Sequence, residues 1–304
     1  MEGSTLNRLP VVVLLAAVLA LALGSVAHAA AVGKATGQSR ADVLRYWTDA
    51  RMKSAVPAQR AAKPNAGKPG GSTATYPYTA LTPGTPYTSF PTNTNGKVYF
   101  TEGRTNYVCS GTALASANES VVWTAGHCVN AGPGAFHTNW MFVPAYLSGA
   151  APYGRFTASQ LLSTPGWTGS GDFRYDLGAA VVGTSSTSGQ TLTVALGGGR
   201  TLSTGASVLT SYTLYGYPQA RPFNGQTLRG CASPFGLLDP YSAAPKPIGV
   251  GCNMTGGSSG GAWLNSAGEV VSVNSFGYTS YKNVMFGPQQ GTEAADLFTT
   301  AQAN

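Results

Sequence analysis

The stretch VVWTAGHCV, residues 121–129, is an apolar run that ends in a small-residue turn and a histidine, His127. Val and Trp favour strands, and a turn at a strand end can fix an imidazole while one face of it stays exposed. Similar runs rich in Val, Tyr, Thr and Phe recur between turns beyond about Tyr76. With 40 Gly and 19 Pro in 304 residues, the chain has many turns. An all-β sandwich or barrel is therefore predicted, with one convincing helix in this body, residues 292–302, capped by Thr292.

The N-terminus has the pattern of a secretory signal peptide. Residues 9–26 form an apolar run behind Arg8, and the run ends in the small-residue pattern Ala27-His28-Ala29. The run is also long enough to suggest a membrane anchor, but the cleavage pattern and the lack of a basic stop-transfer cluster favour cleavage near Ala29. We therefore expect residues 1–29 to be a signal peptide and the mature protein to be secreted, extracellular and not bound to a membrane.

The four cysteines are expected to form two disulfides, because export places them in an oxidising compartment. Four cysteines allow three connectivities, and the pairing that closes two short loops is favoured. A zinc site built from the four thiolates lacks any C-x-x-C pair. The favoured pairs are Cys109–Cys128 and Cys231–Cys252.

The net charge of +7 is concentrated in one segment near the N-terminus. Residues 30–70 carry eight basic and two acidic side chains, whereas residues 71–304 carry nine and eight. Residues 39–55 show apolar positions near helical spacing, and the Pro- and Gly-rich stretch 57–72 is typical of a linker. We interpret residues 30–75 as a propeptide with its linker and residues 76–304 as the main domain; the alternative is a basic tail that persists in the mature protein. The main domain lacks the basic and aromatic pattern of a nucleic-acid surface, so no nucleic-acid partner is expected.

Three segments carry candidate catalytic residues. His127 is one of two histidines left after removal of the signal, and the stretch GSSGG, residues 257–261, offers adjacent serines among glycines. A serine needs a base within hydrogen-bond reach, and the base needs a group that holds its tautomer. Asp176 leads the apolar run 177–182 and is preferred for that role over Asp172.

Taken together, these segments resemble those of the chymotrypsin-like serine proteases, in the order His127, Asp176, Ser259. TAGHC resembles the histidine segment of that family, YDLGAAVV the aspartate segment, and GSSGG the nucleophile segment, usually Gly-Asp-Ser-Gly-Gly. The resemblance implies two six-stranded antiparallel β-barrels with a short C-terminal helix. It also implies that Ser259 is the nucleophile and that the backbone N–H groups of Gly257 and Ser259 form the oxyanion hole.

The same resemblance bears on activation and specificity. Ser258 stands where the family usually has Asp, so activation through an ion pair with a new N-terminus is not expected. The stretch NSFGY resembles the wall strand of the substrate channel. A trypsin-like preference for Arg or Lys needs a buried carboxylate as partner. Neither residues 250–259 nor residues 270–281 contain one, so this preference is not expected. The chain also has some similarity to secreted bacterial glutamyl endopeptidases. A preference for glutamate therefore stays open, with Thr255 as a donor to its carboxylate. The default expectation is a neutral or apolar P1 residue. The expected substrate-binding residues are Asn274, Ser275, Phe276 and Gly277.

Other function classes fit the sequence less well. GSSGG also matches the G-x-S-x-G elbow of α/β-hydrolases, but that fold needs a histidine after the serine, and none follows Ser259. An inert protease-like domain would be expected to lack one of the three residues. No ligand cluster for zinc or calcium is visible, so a mechanism without metal or other cofactor is expected. The sequence thus predicts a monomeric serine endopeptidase, made as a zymogen, that acts on proteins or peptides.

Overall fold

A computed structural model describes residues 1–3, 30–58 and 74–304. The predicted signal peptide and most of the predicted linker lie outside these described residues. The structure is mostly β, which confirms the predicted fold class. The strands are β1 (Val32–Ala35), β2 (Val56–Pro57), β3 (Thr79–Leu81), β4 (Asn95–Glu102), β5 (Thr105–Leu114), β6 (Val121–Thr124), β7 (Thr138–Pro144), β8 (Phe156–Ser163), β9 (Gly178–Val182), β10 (Ser211–Gly216), β11 (Arg229–Pro234), β12 (Leu237–Leu238), β13 (Ile248–Gly251), β14 (Ala262–Leu264), β15 (Val270–Val273) and β16 (Val284–Gly287).

The first half of the main domain is a closed six-stranded antiparallel barrel. Its strands follow the order β8-β7-β4-β5-β6-β9, and pairing of β8 with β9 closes it. The interior is filled by alternate residues of these strands, among them Val98, Phe100 and Trp123, all fully buried. Two strands from residues 30–58 are added outside the barrel: β1 pairs antiparallel with β8, and β2 pairs parallel with β5.

The second half consists of two sheets rather than one continuous closed sheet. One has the strand order β15-β14-β10-β11-β3, and the other has the order β12-β13-β16. The two sheets pack over a core that includes Leu214, Val250 and Trp263. This arrangement is consistent with the second barrel of the predicted two-barrel fold.

The helices are short. They are α1 (Arg40–Tyr46), α2 (Asp49–Ser54), α3 (Pro165–Ser170), α4 (Leu192–Leu196) and α5 (Thr292–Gln302). α5 is the predicted C-terminal helix, but Gly291 is its N-cap and Thr292 is its first residue, so the predicted cap is off by one position. Within the described ranges, no helix is both long and apolar enough to span a membrane.

The helical pattern predicted across residues 39–55 is split into α1 and α2. Each helix begins with its own side-chain cap, since the hydroxyl of Ser39 accepts from the Asp42 N–H and that of Thr48 from the Arg51 N–H. Linker character was predicted from Pro57 onward, but Pro57 belongs to β2 and is ordered against β5. Strand structure therefore continues to Pro57, into the stretch for which the composition predicts a linker.

Candidate active site

His127 lies on a 3-10 turn, Gly126–Cys128, directly after β6. The next residue, Cys128, is bonded to Cys109 of β5, which ties the turn to the barrel wall. The second disulfide joins Cys231 and Cys252, so both favoured pairs are present. The His127 ring is almost fully buried, at 1% exposure. The disulfide and the surrounding packing thus restrict the position of the imidazole, in addition to its hydrogen bonds.

Asp176 holds this imidazole through two hydrogen bonds. One carboxylate oxygen, Oδ1, accepts from the His127 backbone N–H at 2.8 Å, and Oδ2 lies 2.8 Å from His127 Nδ1. The Ser275 hydroxyl also donates to Oδ2, at 2.5 Å. Because a carboxylate only accepts, Nδ1 carries the proton and Nε2 is left as the basic nitrogen. This is the tautomer that a general base for a serine requires.

Asp172, the rival for this role, lies in a different environment. Its side chain accepts from the Arg174 backbone N–H at 3.0 Å and forms an ion pair with the Arg174 guanidinium at 2.5 Å. Its carboxylate is therefore engaged in capping the short turn 173–175. The geometry brings Asp176, and not Asp172, to His127.

Ser259 and Ser258 point in different directions. The Ser258 hydroxyl donates to the Thr255 carbonyl at 2.8 Å, whereas the Ser259 hydroxyl donates to the Ala58 carbonyl at 3.3 Å. His127 Nε2 is buried and has no hydrogen-bond partner among the described residues. In this state the hydroxyl of Ser259 is engaged by the N-terminal segment instead of by the histidine.

Hydrogen bonds to two consecutive carbonyls fix the backbone of the loop around Gly257. The Gly256 carbonyl accepts from the backbone N–H groups of Gln219 and Ala220, at 2.8 and 3.0 Å, and the Gly257 carbonyl accepts from the Ser110 hydroxyl at 2.9 Å. Gly257 has φ +99°, a conformation that favours glycine. With both carbonyls turned into the protein, the N–H groups of Gly257 and Ser259 have no acceptor among the described residues. They are available as donors to an oxyanion.

A cavity of about 230 Å³ opens beside Ser259. Ser275, Phe276 and Gly277 are among the residues that line it, and the other lining residues are mostly apolar or small. None of the residues that line it is charged. The remaining lining residues are Met254, Thr255, Gly256, Ser258, Ser259, Tyr278, Thr279, Val284 and Met285.

Asn274 differs from its expected role in the channel. It is fully buried and does not line the cavity. Its amide nitrogen donates to the carbonyls of Tyr215 and Ser258, and its oxygen accepts from the Trp263 indole at 2.8 Å. Asn274 therefore supports the nucleophile loop from behind, because every polar atom of its side chain is used within the protein.

Sequence reasoning missed one carboxylate near the cavity. Asp239 is fully buried and accepts from the hydroxyl groups of Tyr278 and Ser242, at 2.9 and 2.5 Å. Burial, and after it the hydrogen bond to Asp239, raise the pKa of the Tyr278 phenol. Asp239 bonds the Tyr278 hydroxyl and is not among the residues that line the cavity, so it offers no direct partner to a ligand there. It lies far from the motifs in sequence, and nothing in its local sequence marks it.

A larger cavity, of about 450 Å³, lies at the start of α5. It is lined by Tyr175 and Leu177, which flank Asp176, but by none of the three candidate catalytic residues. Among the residues that the structure describes, the one group with metal-ligand spacing is Cys109, His127 and Cys128. Since the two cysteines are disulfide-bonded to each other, neither offers a thiolate to a metal ion.

Comparisons with solved structures show extensive similarity. The protease Anisep from Arthrobacter nicotinovorans is 46% identical, with a TM-score of 0.66 over 70% of this chain and 96% of that chain. A thermostable serine protease, AL20, from an extremophilic microorganism is 39% identical, with a TM-score of 0.66 over 70% of this chain and 98% of that one. A Glu endopeptidase is 18% identical over 75% of this chain and 97% of that chain, with a TM-score of 0.58, which supports the fold alone.

Sequence comparisons add a more distant relative. The chain is 25% identical over 196 residues to a protein of Bacillus subtilis named extracellular metalloprotease. The match covers 64% of this chain and spans 59% of that relative's length. No family model matches the chain. On the strength of the solved structures, the chain belongs to the chymotrypsin-like serine proteases.

Proposed function

We propose that the protein is a secreted serine endopeptidase that uses His127, Asp176 and Ser259 as a catalytic triad. The observation that carries this proposal is the buried Asp176–His127 pair, which leaves Nε2 without a hydrogen-bond partner among the described residues and so available as a base. The proteases of similar structure support the same class of reaction. Secretion is supported by the signal-peptide pattern, by the two disulfides and by the extracellular relative.

The proposed reaction follows from the positions of the donors and acceptors. Ser259 Oγ attacks the carbonyl carbon of the scissile peptide bond while His127 Nε2 takes its proton, and Asp176 stabilises the imidazolium that forms. The N–H groups of Gly257 and Ser259 donate to the oxyanion, and such donors typically contribute about 3–4 kcal/mol each in the transition state. The imidazolium then protonates the leaving amine. Water hydrolyses the acyl-enzyme by the same route, and the proton returns to Ser259.

The cavity beside Ser259 supports an apolar P1 preference. A basic P1 side chain would need a carboxylate that its walls do not contain, and a glutamate would need a cationic partner that is also missing from the lining. Met254, Phe276 and Val284 would instead contact an aliphatic or aromatic side chain. We therefore propose Leu, Met or Phe as the preferred P1 residue.

The N-terminal region supports a zymogen. We propose that residues 1–29 are a signal peptide, that residues 30–75 are a propeptide with its linker, and that residues 76–304 are the protease domain. The hydrogen bond between the Ala58 carbonyl and the Ser259 hydroxyl supports this division, since it joins the proposed propeptide to the proposed nucleophile. N-terminal sequencing of the exported, active protein tests the boundary, and a start before Ser39 would contradict the propeptide.

The adjacent serines offer a matched pair of variants for testing the function. We expect Ser259→Ala to abolish hydrolysis of peptide substrates by the exported, processed protein, and Ser258→Ala to retain it. A panel of peptides that differ only at P1 would show higher kcat/KM for Leu, Met and Phe than for Arg or Glu. Equal activity of wild type and Ser259→Ala would refute the assignment, and no activity in any processed preparation would favour an inert binding domain.

A further inference from the structure

Residues 30–58 are anchored to the protease domain by a set of buried apolar side chains. Val43, Trp47, Met52 and Ala55 are 1–7% exposed and belong to one apolar cluster with the outer face of the first barrel. The Trp47 ring lies 5.3 Å from the ring of Tyr99. The barrel residues in this cluster are Tyr99, Val108, Met141, Val143, Ala145 and Tyr146, and Tyr87, Tyr217 and Leu228 complete it. Burial of these apolar side chains stabilises the docking of residues 30–58 on the barrel, and the four side chains of the segment named here all precede the linker.

Polar contacts set the position of the segment along this face. The Gln38 side chain makes two hydrogen bonds with Asn139, at 2.9 and 2.6 Å, and the Trp47 indole donates to the Asn139 carbonyl at 2.5 Å. The Gln219 amide donates to the Ala55 carbonyl at 2.6 Å. The Gln219 backbone N–H also donates to the Gly256 carbonyl, so the segment is connected through Gln219 to the loop that carries the proposed oxyanion donors.

The last described residues of the segment enter the active site. β2 runs parallel to β5, and the Ala58 N–H donates to the Val108 carbonyl at 2.9 Å. The Ala58 carbonyl then accepts the hydrogen bond of the Ser259 hydroxyl. Ala58 is itself 6% exposed, so access to the nucleophile is closed on this side.

The way in which Ala58 meets Ser259 is not that of a substrate. A reacting carbonyl would receive hydrogen bonds from the N–H groups of Gly257 and Ser259, and the hydroxyl would donate to His127 Nε2. Here the hydroxyl donates to the carbonyl oxygen, while Nε2 has no partner among the described residues. Neither oxyanion donor bonds to Ala58. The segment therefore occupies the nucleophile without placing its own peptide bond in position for attack.

We propose that residues 30–58 are a protease inhibitor of this site, which binds without being cleaved at Ala58 and still inhibits after the chain is cut between residues 59 and 73. This inference rests on the proposed function, because it needs an active Ser259. The contacts named above all lie before residue 59, so a cut in the linker removes none of them. It only converts a tethered inhibitor, at an effective concentration of millimolar order, into one that dilution releases.

The experiment compares fluorophosphonate labelling of the exported chain when intact and after cleavage in the linker. The cut is made at a recognition sequence introduced between residues 59 and 73 for a protease that has no site elsewhere in the chain, because exposed basic residues such as Lys53 rule out a protease specific for Arg or Lys. The intact chain should label slowly, and the cut chain should label slowly when concentrated and rapidly after dilution. Added synthetic peptide of residues 30–58 should restore the slow rate. Equally rapid labelling of intact and diluted cut chain would overturn the inference while leaving the proposed function in place; no labelling of any form would overturn both.

Three peptides test the contacts themselves. The peptide with Trp47→Ala should inhibit about 100-fold more weakly, as expected for loss of a buried Trp side chain. The control peptide with Lys53→Ala changes an exposed residue and should match the parent. A peptide of residues 30–54 keeps the apolar anchors Val43, Trp47 and Met52 but lacks Ala58, and it should not slow labelling of Ser259. Inhibition by this short peptide as strong as by residues 30–58 would contradict the role of the Ala58 contact.

Discussion

Lys97 is a buried lysine that has no acidic partner within the part of the chain that the structure describes, and its replacement should change stability in a pH-dependent way. Its side chain is 1% exposed, its ammonium donates to Gln219 and to the Gly225 carbonyl, and it lies 5.4 and 5.1 Å from the ring centres of Tyr99 and Tyr146. Burial lowers the pKa of Lys97 from 10.5 to about 7. The folded state therefore disfavours the charged form of this side chain.

The magnitude follows from linkage. Because the folded pKa lies below the unfolded value, the unfolded chain binds more protons between pH 7 and 10.5, and stability rises with pH in that window. A difference of 10.5 to about 7 corresponds to about 5 kcal/mol of penalty on the charged form, fully present below pH 7 and absent above 10.5. The Lys97 ammonium makes two hydrogen bonds, and a hydrogen bond to a charged group contributes about 1.5 kcal/mol or more, so the loss of both offsets about 3 kcal/mol of the gain on replacement. Lys97→Met should thus stabilise the protein at pH 7 by about 2 kcal/mol at most.

The assay is urea unfolding from pH 6 to 10, in a Ser259→Ala background to prevent self-digestion. The difference in unfolding free energy between Lys97→Met and its parent should be largest at or below pH 7 and should fall by about 1.4 kcal/mol per pH unit between pH 8 and 10. Lys282→Met changes an exposed lysine and serves as the control, with no such slope expected. A difference that does not depend on pH would refute the reasoning, since it would mean that Lys97 stays charged in the folded protein.

Three further predictions concern the site. Asp176→Asn should lower kcat by about 10⁴-fold, whereas Asp172→Asn, which breaks only a remote ion pair, should stay within a few-fold of wild type in the same peptide assay. Ser275→Ala removes the 2.5 Å hydrogen bond to Asp176 and should lower kcat about tenfold, with recovery in Ser275→Thr. Gly260→Ala would place a Cβ 2.0 Å from a threonine hydroxyl oxygen and should prevent stable folding in thermal denaturation. Gly268→Ala has a similar positive φ, but its Cβ would lie 3.6 Å from the nearest atom, in the Arg200 guanidinium, and the variant should lower Tm much less.

Much of the fold and the arrangement of the site could be predicted, because the signals are local. The strand at residues 121–124 and the turn that carries His127 follow from consecutive residues, and the cysteine beside the histidine fixes the turn to its neighbour. The choice of Asp176 over Asp172 rested on the apolar run that follows it, and the structure places that run in the barrel wall as β9. At each of these positions the sequence motif and the apolar pattern around it predict the same placement.

What could not be predicted depends on contacts between distant residues. The resemblance of NSFGY to the wall strand predicts Asn274 in the channel, but its amide donates to the Tyr215 and Ser258 carbonyls behind the nucleophile loop. Asp239 reaches Tyr278 only through the packing of separate loops. The contact of Ala58 with Ser259 joins residues 201 positions apart, and the linker-like composition after Pro57 gave no sign of it.

The central claim, that Ser259 is activated by His127 and Asp176, is tested most directly by mapping the residue that reacts with a fluorophosphonate in the processed protein. We predict a single modified residue, Ser259, with labelling lost in Ser259→Ala and strongly slowed in Asp176→Asn. Modification of Ser258 instead, or labelling of Asp176→Asn at the wild-type rate, would contradict the account.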